Sequence, residues 1–358
     1  MIRKALKTLS PVRIYLGVLV SAALMASCLW GTSVAYAETV PLDTLEVAEA
    51  LTDITNISGP TVDEMAVLDS VADVPTNRTG DNAIDATING VELTIPVDPS
   101  DPLTLGSATS PVVEIGLPYA ANASDAEVLD NGIVVYDNQN GSATVPVVKD
   151  DGSVQITTVI AGPQSPSRYS YSLGLPAGGS LTVIDDGAVL AVDKTGKFIL
   201  GIAPAWARDA AGRTVPTYYA VEGDVVTQVV SHSAVKDVEY PVVADPFLGI
   251  ALFDKVTKKT VSGKGFRITA KLSWWGETME RAGYVSPVGV GGQAVMYAAG
   301  WDEVKSKQSS VNKTTMHQQY NCHVALGWVL SIGDTWDLES WYSTHSVSWW
   351  TQRGCNEK

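Results

Sequence analysis

The last quarter of the chain holds the residues best suited to chemistry, and most of them lie between two cysteines. Cys322 and Cys355 enclose five tryptophans, Tyr342 and two histidines. A disulfide closing a loop of this length destabilises the unfolded chain by about 3 to 4 kcal/mol, through lost entropy. The sequence therefore predicts a tryptophan-rich region closed by a Cys322–Cys355 disulfide, with an oxidising compartment around it.

The tryptophans of this region have two interpretations. Most are expected to form the core of a small domain, because large aromatic side chains dominate core burial. Trp349–Trp350 differs, since adjacent residues on a strand point to opposite faces and both are buried only if both faces are covered. Exposed rings could stack on sugars or pack against a partner. The candidate binding surface consists of aromatic residues and their polar neighbours: Trp336, Trp341, Tyr342, Trp349, Trp350, Glu339, Asp337 and His323.

Acid/base catalysis has weaker support in the same region. Asp334, Asp337 and Glu339 form the acidic cluster among the aromatic residues. Catalysis by two carboxylates needs a specific separation across a cleft, which a single sequence does not give. The chain has no Gly-x-Ser-x-Gly, Walker, His-Glu-x-x-His or Cys-x-x-Cys motif. The sequence therefore leaves enzymatic activity uncertain and favours a protein without it.

Three histidines raise the question of a metal. His317 and His323 would share a face of a single strand, and His345 could join them to bind zinc. Histidines that lie at the surface or are capped by neighbours are far commoner. We therefore predict neither a metal nor a cofactor.

Charge and aromatic content change sharply near residue 250. Residues 38–250 carry 30 acidic and 8 basic residues, whereas residues 251–358 carry 9 acidic and 12 basic residues. Eight of the ten tryptophans also fall in the second part. Such a shift predicts two domains, with a boundary near Asp245, where the prolines of Tyr240–Pro246 limit sheet pairing. The acidic part should repel nucleic acid.

The first 37 residues have the pattern of a signal peptide. Basic residues precede an apolar run that ends near Trp30, and Ala35-Tyr36-Ala37 supplies a cleavage site before Glu38. A retained membrane anchor and a lipoprotein acylated at Cys28 are the alternatives. Cleavage would remove Cys28 and leave an even pair of cysteines. We expect a protein outside the cell, free or at the cell surface, with no integral membrane segment after cleavage.

Residues 38–80 are predicted to be an acidic helical lead-in. Leu45–Ile54 has weak helical periodicity. Thr61–Glu64 has the spacing of a capping box, and apolar residues then recur at helical spacing from Val62 to Ala72.

Residues 81–245 are predicted to be an acidic antiparallel β domain, similar to a sandwich. Turn dipeptides such as Asn89-Gly90 and Asn140-Gly141 recur between β-branched and aromatic runs, which is typical of such sheets. The predicted strands are Val91–Ile95, Ile133–Tyr136, Ala143–Val148, Val154–Ile160, Arg168–Leu173, Gly187–Val192, Phe198–Ile202, Val215–Val221 and Val225–Val230.

Residues 246–358 are predicted to be a small α+β domain, so the fold as a whole is mainly β. Asp254–Val261 and Phe266–Trp275 should form a hairpin, and Gln293–Ser306 should be a helix. Met316–Val329 and Ser346–Thr351 are predicted to be strands. Cys322 and Trp349–Trp350 would then both lie on strands.

The C-terminal part also resembles a known family. Gln319–His323, Thr335–Trp341 and Cys355-Asn356 are similar to motifs of a secreted actinobacterial domain, domain of unknown function 2599. In that family an aromatic-x-Cys-His segment precedes a Trp-Asn-Leu-Glu-x-Trp segment, and a Cys-Asn pair closes the domain. Two departures are Asp337 in place of the usual Asn and Tyr342-Ser343 in place of Arg-Pro. The family has no assigned activity, so the resemblance implies an external compartment and the disulfide, without a mechanism.

The preferred function is a non-catalytic binding or interaction module that uses an aromatic surface. The expected partner is a carbohydrate or a protein at the cell envelope, and no nucleic acid. A secreted hydrolase acting on cell-wall polymer is the first alternative. A toxin-like or membrane-active C-terminal module, freed from its acidic partner, is the second.

Overall fold

The computed structural model describes residues 42–57, 67–184, 187–285, 294–330 and 335–355. The predicted signal peptide, its cleavage site and Asp334 lie outside these ranges. So do Val62 and Met65 of the predicted lead-in helix.

The chain enters the fold through helix α1, Thr44–Ile57. Asp43 caps it by accepting a hydrogen bond from the backbone of Leu45. Its apolar residues Val47, Leu51 and Ile54 recur at helical spacing and are buried. The prediction of a helix at Leu45–Ile54 is confirmed.

The second part of the predicted lead-in helix is wrong where the structure describes it. Residues 67–70 form a turn, and Val71 makes an isolated bridge with Lys149. The Lys149 ammonium donates hydrogen bonds to the carbonyl oxygens of Val67 and Asp69. This segment is therefore ordered by its contacts with the β domain, which outweigh its weak helical periodicity.

The strands are, in chain order, β1 Asn82–Ile88, β2 Val91–Pro96, β3 Leu103–Ser107, β4 Val113–Gly116, β5 Glu127–Asp130, β6 Ile133–Asp137, β7 Ser142–Val148, β8 Val154–Ile160, β9 Arg168–Gly174, β10 Ser180–Val183, β11 Val189–Val192, β12 Phe198–Ile202, β13 Ala207–Arg208, β14 Thr217–Glu222, β15 Val225–Val230, β16 Val242–Ala244, β17 Phe247–Gly249, β18 Phe253–Val261, β19 Gly265–Leu272 and β20 Thr335–Glu339.

Strands β1 to β17 form two antiparallel sheets. One has the order β1-β2-β3-β4-β9-β15-β14, and the other β10-β11-β12-β17-β8-β7-β6-β5, with β16 joining β8 and β13 joining β16. The predicted antiparallel β domain is confirmed, and each predicted strand overlaps an observed one. At the β1–β2 turn, Asn89 and Gly90 both have positive φ, at 49° and 83°. That conformation suits the right-handed twist of a hairpin and explains the Asn-Gly pair.

A core between the two sheets accounts for the burial patterns. Strand β9 alternates, with Tyr169, Tyr171 and Leu173 buried and the residues between them exposed. Strands β7 and β8 are buried at every position. One face of this pair packs into the sandwich core, whereas the other contributes to a second cluster with α1. These strands therefore lack the alternation of buried and exposed residues that is expected of a sheet with one solvent-exposed face.

The C-terminal region contains a third sheet, in the order β18-β19-β20. Its helices are α2 Trp274–Val285, α3 Trp301–Lys307, α4 Thr314–Leu330 and α5 Val347–Thr351, with a π-helical turn at Met296–Gly300 and a short 3₁₀ turn at Ser309–Val311. Residues Ile268, Ala270, Trp336 and Leu338 pack in one core with residues of these helices. The predicted hairpin and the predicted helix at Gln293–Ser306 are confirmed for the residues described.

Two predicted strands of this region are wrong. Met316–Val329 is part of helix α4, where Met316, Tyr320 and Val324 recur every four residues and are buried on one face. Ser346–Thr351 contains helix α5, and the Ser346 hydroxyl caps it by accepting a hydrogen bond from the backbone of Trp349.

The end of the predicted strand Phe266–Trp275 also differs from the prediction. Trp274 and Trp275 begin helix α2 and do not end the strand, because the Ser273 hydroxyl accepts a hydrogen bond from the backbone of Gly276.

Trp275 joins the C-terminal region to the larger sheet. Gly201 and Gly249 face each other on β12 and β17. A Cβ added to either residue would lie 2.2 to 2.4 Å from the Trp275 indole, so the ring lies directly on the two glycines. Strand β17 belongs to this sheet although it follows Asp245, the predicted domain boundary. The two regions share a hydrophobic cluster that includes Phe198, and the described residues form one compact unit.

Candidate functional site

The predicted disulfide is confirmed. Cys322 on α4 and Cys355 after α5 are bonded, with their Cα atoms 5.4 Å apart. Both are buried in a small cluster with Trp350. The bond therefore joins two helices, whereas the sequence predicted that it joins two strands.

Two tryptophans of the candidate surface are core residues. Trp350 is fully buried and Trp336 is 2 % exposed. The Trp336 ring contacts the rings of Phe253 and Tyr320 at centroid distances of 5.6 and 5.4 Å. Neither tryptophan offers a face to a ligand.

Each histidine near the C-terminus stacks on a different tryptophan, at interplanar angles of 9° to 14°. The pairs are His317 with Trp301, His323 with Trp336 and His345 with Trp349. Residues six apart on a helix point in different directions, so the shared face expected for a strand does not exist. Among the residues that the structure describes, no three His, Cys, Asp or Glu side chains are placed to hold a metal ion.

Trp349 is part-exposed but enclosed by its neighbours. The His345 ring stacks 3.6 Å from it, and the Arg353 guanidinium lies 3.9 Å from its centroid. Two groups this close to one ring centroid must occupy opposite faces, because on one face they would overlap. Neither face of Trp349 is therefore free to stack on a ligand.

Trp341 and Tyr342, which we term the aromatic edge, remain part-exposed. The two rings are 5.7 Å apart, and Tyr342 also contacts the buried ring of Trp350. Trp341 lies beside the β18–β19 turn, where the Lys264 ammonium is 5.7 Å from its centroid. The aromatic edge thus combines part-exposed rings with a firm connection to the disulfide cluster.

A row of charged side chains lies next to the aromatic edge. Arg267 on β19 and Asp337 and Glu339 on β20 form this charged row, on the face of the sheet opposite to the helices. The Arg267 guanidinium pairs with Asp337 at 3.0 Å, and the Thr269 hydroxyl donates a hydrogen bond of 2.5 Å to the same carboxylate. Asp337 is therefore held in place by β19.

Glu339 is the unusual member of the charged row. It is 9 % exposed, and its Oε2 has no hydrogen-bond partner among the described residues. Burial raises the pKa of its carboxyl, the charge of Asp337 raises it further, and Arg267 and Lys264 act in the opposite direction. Lys264 is thus close to both Glu339 and Trp341, which links the charged row to the aromatic edge.

The Gln319 amide holds β20 against helix α4. Its Oε1 accepts a hydrogen bond of 2.8 Å from the backbone N–H of Glu339, and its Nε2 donates one of 2.9 Å to the carbonyl of the same residue. The side chain thereby takes the place of a neighbouring strand. Gln319 begins the motif Gln319–His323, but the sequence alone did not indicate this role.

The other residues of that motif also have structural roles. The Tyr320 hydroxyl donates a hydrogen bond to the carbonyl of Met296, and its ring lies in the core. Cys322 forms the disulfide and His323 stacks on Trp336. The residues of this motif therefore hold the module together. The part-exposed Trp341 lies at the end of the next motif, Thr335–Trp341.

A cleft that the sequence did not predict lies between the two regions. We term it the junction cleft, and it has a volume of about 510 Å³. Phe247, Leu272 and Trp274 supply its apolar wall, and its polar lining includes Asp69, Lys149, Asp150, Asp151, Gln155, Asp254, Lys271 and Glu277. These residues come from distant parts of the sequence, which is why no local pattern indicated the cleft.

Two groups of the junction cleft have shifted pKa values. Burial raises the pKa of Asp254 to about 6, and the charge of Asp151 adds to the rise. Burial lowers the pKa of Lys149 to about 8, against the opposing effect of nearby aspartates. Shifted pKa values in a cleft are a feature of functional sites, although structural ion pairs also produce them.

The fold and the site define an antiparallel β sandwich joined to a disulfide-closed α+β module. Residues 271–358 match a family model described as a protein of unknown function (DUF2599), which confirms the predicted resemblance. No match was found among curated proteins or among solved structures. The matched region begins near the end of β19, so β18 and most of β19 precede it although they belong to the same sheet as β20.

None of the helices in the described ranges is both long and apolar enough to span a bilayer.

Proposed function

We propose that this is an extracellular protein whose C-terminal module is a non-catalytic binding module, and that its ligand is a carbohydrate of the cell envelope. The observation that supports this most is the position of Trp341 and Tyr342, part-exposed rings beside the charged row. Trp341 would stack on a sugar ring. Arg267 and Asp337 would bind its hydroxyl groups.

The chemistry of this surface suits a sugar better than an apolar partner. A sugar ring has an apolar face for an aromatic side chain and hydroxyl groups that both donate and accept hydrogen bonds. The Arg267 and Asp337 side chains are 36 % and 29 % exposed, so the charged row offers both an accessible donor and an accessible acceptor. Ligand sites commonly combine aromatic side chains with a few placed polar groups in this way.

Rigidity of the surface also supports the proposal. The disulfide fixes the cluster behind Tyr342, and the Gln319 amide fixes the strand that carries Asp337 and Glu339. A surface that is ordered before binding loses less entropy when the ligand arrives. The disulfide together with the predicted signal peptide supports the extracellular location, because disulfides rarely persist in the cytosol.

The two alternatives receive less support. Asp337 and Glu339 lie on the same face of one strand, and the Arg267 guanidinium pairs with Asp337. A hydrolase would need two carboxylates that flank a scissile bond, and nothing in the charged row indicates that arrangement. A toxin-like module released from the sandwich would have to withdraw Trp275 from Gly201 and Gly249. That step would expose a large buried ring to water.

Cosedimentation with insoluble polymers tests the proposal. Mature protein is mixed with purified peptidoglycan, chitin or cellulose, and the bound fraction is measured over a range of polymer concentrations. We expect saturable binding to one of them, weakened about tenfold or more by Trp341→Ala, since stacked tryptophans often dominate binding energy.

The matched control is Tyr218→Ala, which removes an aromatic ring that is 56 % exposed on the sandwich. It should leave binding unchanged. Far-ultraviolet circular dichroism and a thiol assay check that each variant is folded and oxidised. The proposal is wrong if the wild type binds none of the polymers, or if Trp341→Ala and Tyr218→Ala bind equally well.

A further inference from the structure

We propose that the carbohydrate bound at the aromatic edge is anionic, and that three exposed lysines of the β18–β19 hairpin bind its carboxylate or phosphate groups. These hairpin lysines are Lys255, Lys259 and Lys264. The proposal rests on the function proposed above and adds the chemical class of the ligand. It follows from the register of the module's sheet and from the charges that are left unpaired on it.

The register of the sheet brings two hairpin lysines to the face that carries the charged row. Lys259 on β18 lies opposite Arg267 on β19, which lies opposite Glu339 on β20. Lys255 lies opposite Lys271 in the same way. Because side chains alternate along a strand, all of these residues project from one face. The charged row thus continues onto β18, where both added residues are lysines.

Lys264 places a positive charge at the end of the sheet where the aromatic edge lies. Its ammonium is 5.7 Å from the centroid of the Trp341 ring. A Cβ added to the next residue, Gly265, would lie 3.9 Å from the same ring, so Trp341 lies beside this end of the hairpin. A sugar ring stacked on Trp341 would therefore hold its acidic substituents near the Lys264 ammonium.

The acidic residues around the hairpin lysines do not neutralise them. The Asp337 carboxylate pairs with Arg267 at 3.0 Å. The Asp254 carboxylate pairs with Lys271 at 3.3 Å. Glu339 is 9 % exposed, so its carboxyl offers little to an exposed ammonium. Among the residues that the structure describes, no hairpin lysine forms an ion pair with a carboxylate, so this face has positive charge that an anionic ligand would neutralise.

The charge of the rest of the chain would direct an anionic polymer to the hairpin. Residues 38–250 carry 30 acidic and 8 basic residues and so repel anions. In the module, Lys258 and Lys313 add positive charge, with their ammonium groups 4.2 and 4.7 Å from the centroid of the Phe266 ring. Charge complementarity therefore favours an anionic polysaccharide over a neutral one.

Lysines on an edge strand also have a structural role, because their charge prevents edge-to-edge pairing between sheets. Strand β18 lies at the edge of its sheet. That role does not require a ring beside the lysines, and it does not involve Lys264, which lies in the turn after β18. The two roles predict different results when Lys259 and Lys264 are replaced.

The test is cosedimentation of the mature protein with bacterial cell walls, before and after hydrofluoric acid removes their phosphodiester-linked polymers. Polygalacturonate and its methyl ester, coupled to beads, form a second pair that differs in carboxylate charge. We expect the wild type to bind the charged member of one pair about tenfold more tightly than its less charged counterpart. The pair that shows the difference identifies the acidic group. Binding should weaken as salt is added, because salt screens exposed charges.

Lys259→Gln combined with Lys264→Gln should weaken binding to the charged polymer about tenfold, since hydrogen bonds between ionised groups are the stronger ones. Binding to the less charged counterpart should not change. The matched control is Lys194→Gln combined with Lys236→Gln, which removes two exposed lysines of the sandwich and should have no effect. Far-ultraviolet circular dichroism checks that each variant is folded.

The outcomes separate this proposal from the function on which it rests. Equal binding of the wild type to both members of each pair would overturn this proposal alone, whereas no binding to any polymer would overturn both. Equal weakening by the two double variants would mean only a general effect of charge, and would overturn it too. So would self-association of the hairpin variant without loss of binding, or equally tight binding of the wild type to phosphatidylglycerol vesicles.

Discussion

The β sandwich and the C-terminal module form their cores in different ways. The sandwich buries two sheets against each other and covers one of them again with α1, so strands β7 and β8 are held from both sides. The module has a single three-stranded sheet, packs helices on one face and leaves a charged row on the other. A small core of this kind needs extra links, and here these are the disulfide, the Gln319 amide and the stacked rings.

The comparison indicates where binding surfaces remain available. In the sandwich, the side chains of Tyr136, Tyr169 and Tyr171 are buried in the core. In the module, Trp336 and Trp350 are also buried, whereas Trp341 stays part-exposed next to the charged row. The change in charge and aromatic content near residue 250 thus coincides with a change in how the core is formed. Trp275 is one of the side chains that connect the two regions.

The largest expected effect is that of Trp275→Ala. Trp275 is 1 % exposed and lies on two glycines of the larger sheet. Removing a buried tryptophan costs about 3 to 5 kcal/mol. In the wild type, tryptophan fluorescence and far-ultraviolet circular dichroism should report one shared denaturant transition, because the regions share a core. The variant should separate them, with the fluorescence change occurring first.

The matched variant for that experiment is Trp274→Ala, at the neighbouring part-exposed position. It should cost less and leave the two transitions together. Two separate transitions already in the wild type would show that the regions unfold independently, as the predicted division into two domains requires.

Reduction of the disulfide should have the next largest effect. Removing the Cys322–Cys355 bond should cost about 3 to 4 kcal/mol through the entropy of the unfolded chain. Because residues 38–250 contain no cysteine, the loss should begin in the module. Tryptophan fluorescence follows it, since eight of the tryptophans lie in residues 251–358. A fluorescence midpoint unchanged by reductant would contradict the account, as would two reactive thiols in the native protein.

These two predictions depend on features that the sequence revealed to very different degrees. The cysteine pair could be read from cysteine parity once the predicted signal peptide was set aside. The contact of Trp275 with Gly201 and Gly249 could not, because three distant segments meet there. Strands bounded by Asn-Gly turns, such as β1 and β2, were predictable because turn and alternation agree locally.

Helices α4 and α5 show why the module was harder to predict. Residues 316–329 contain helical spacing at Met316, Tyr320 and Val324, but aromatic and β-branched residues between them imitate a strand. Helix α5 is five residues long, too short for periodicity, and depends on the Ser346 cap and on Cys355. The candidate surface could be named from composition. The exposure of each ring could not be predicted in this way. His345 and Arg353 cover Trp349, for example, and these contacts are visible only in the three-dimensional structure.

A smaller effect is expected for Gln319→Leu. The substitution keeps the size of the side chain but removes both hydrogen bonds to the Glu339 backbone. Leaving a buried donor and acceptor unpaired should cost about 1 to 3 kcal/mol. Gln352→Leu, at an exposed position, should cost almost nothing. Denaturant midpoints compare the two, and equal values would remove the proposed role of Gln319.

The smallest expected effect is the pH dependence of Glu339→Gln. Burial raises the pKa of Glu339 in the folded state, so the neutral form is favoured there. The wild type is therefore penalised as the pH rises through this raised pKa, and the variant is not. The variant should be the more stable protein at neutral pH, and the difference should disappear below the ordinary pKa of a glutamate. A difference that is constant with pH would contradict the assigned cause.

The most direct test of the carbohydrate surface is nuclear magnetic resonance of the tryptophan indole groups. Soluble oligosaccharides from the polymer that the protein binds are titrated into protein labelled with ¹⁵N at tryptophan, and Trp341→Phe assigns the Trp341 signal. The account predicts a saturable shift of Trp341, while the signals of buried Trp350 and distant Trp206 stay in place. An unchanged Trp341 signal at saturating oligosaccharide would contradict it.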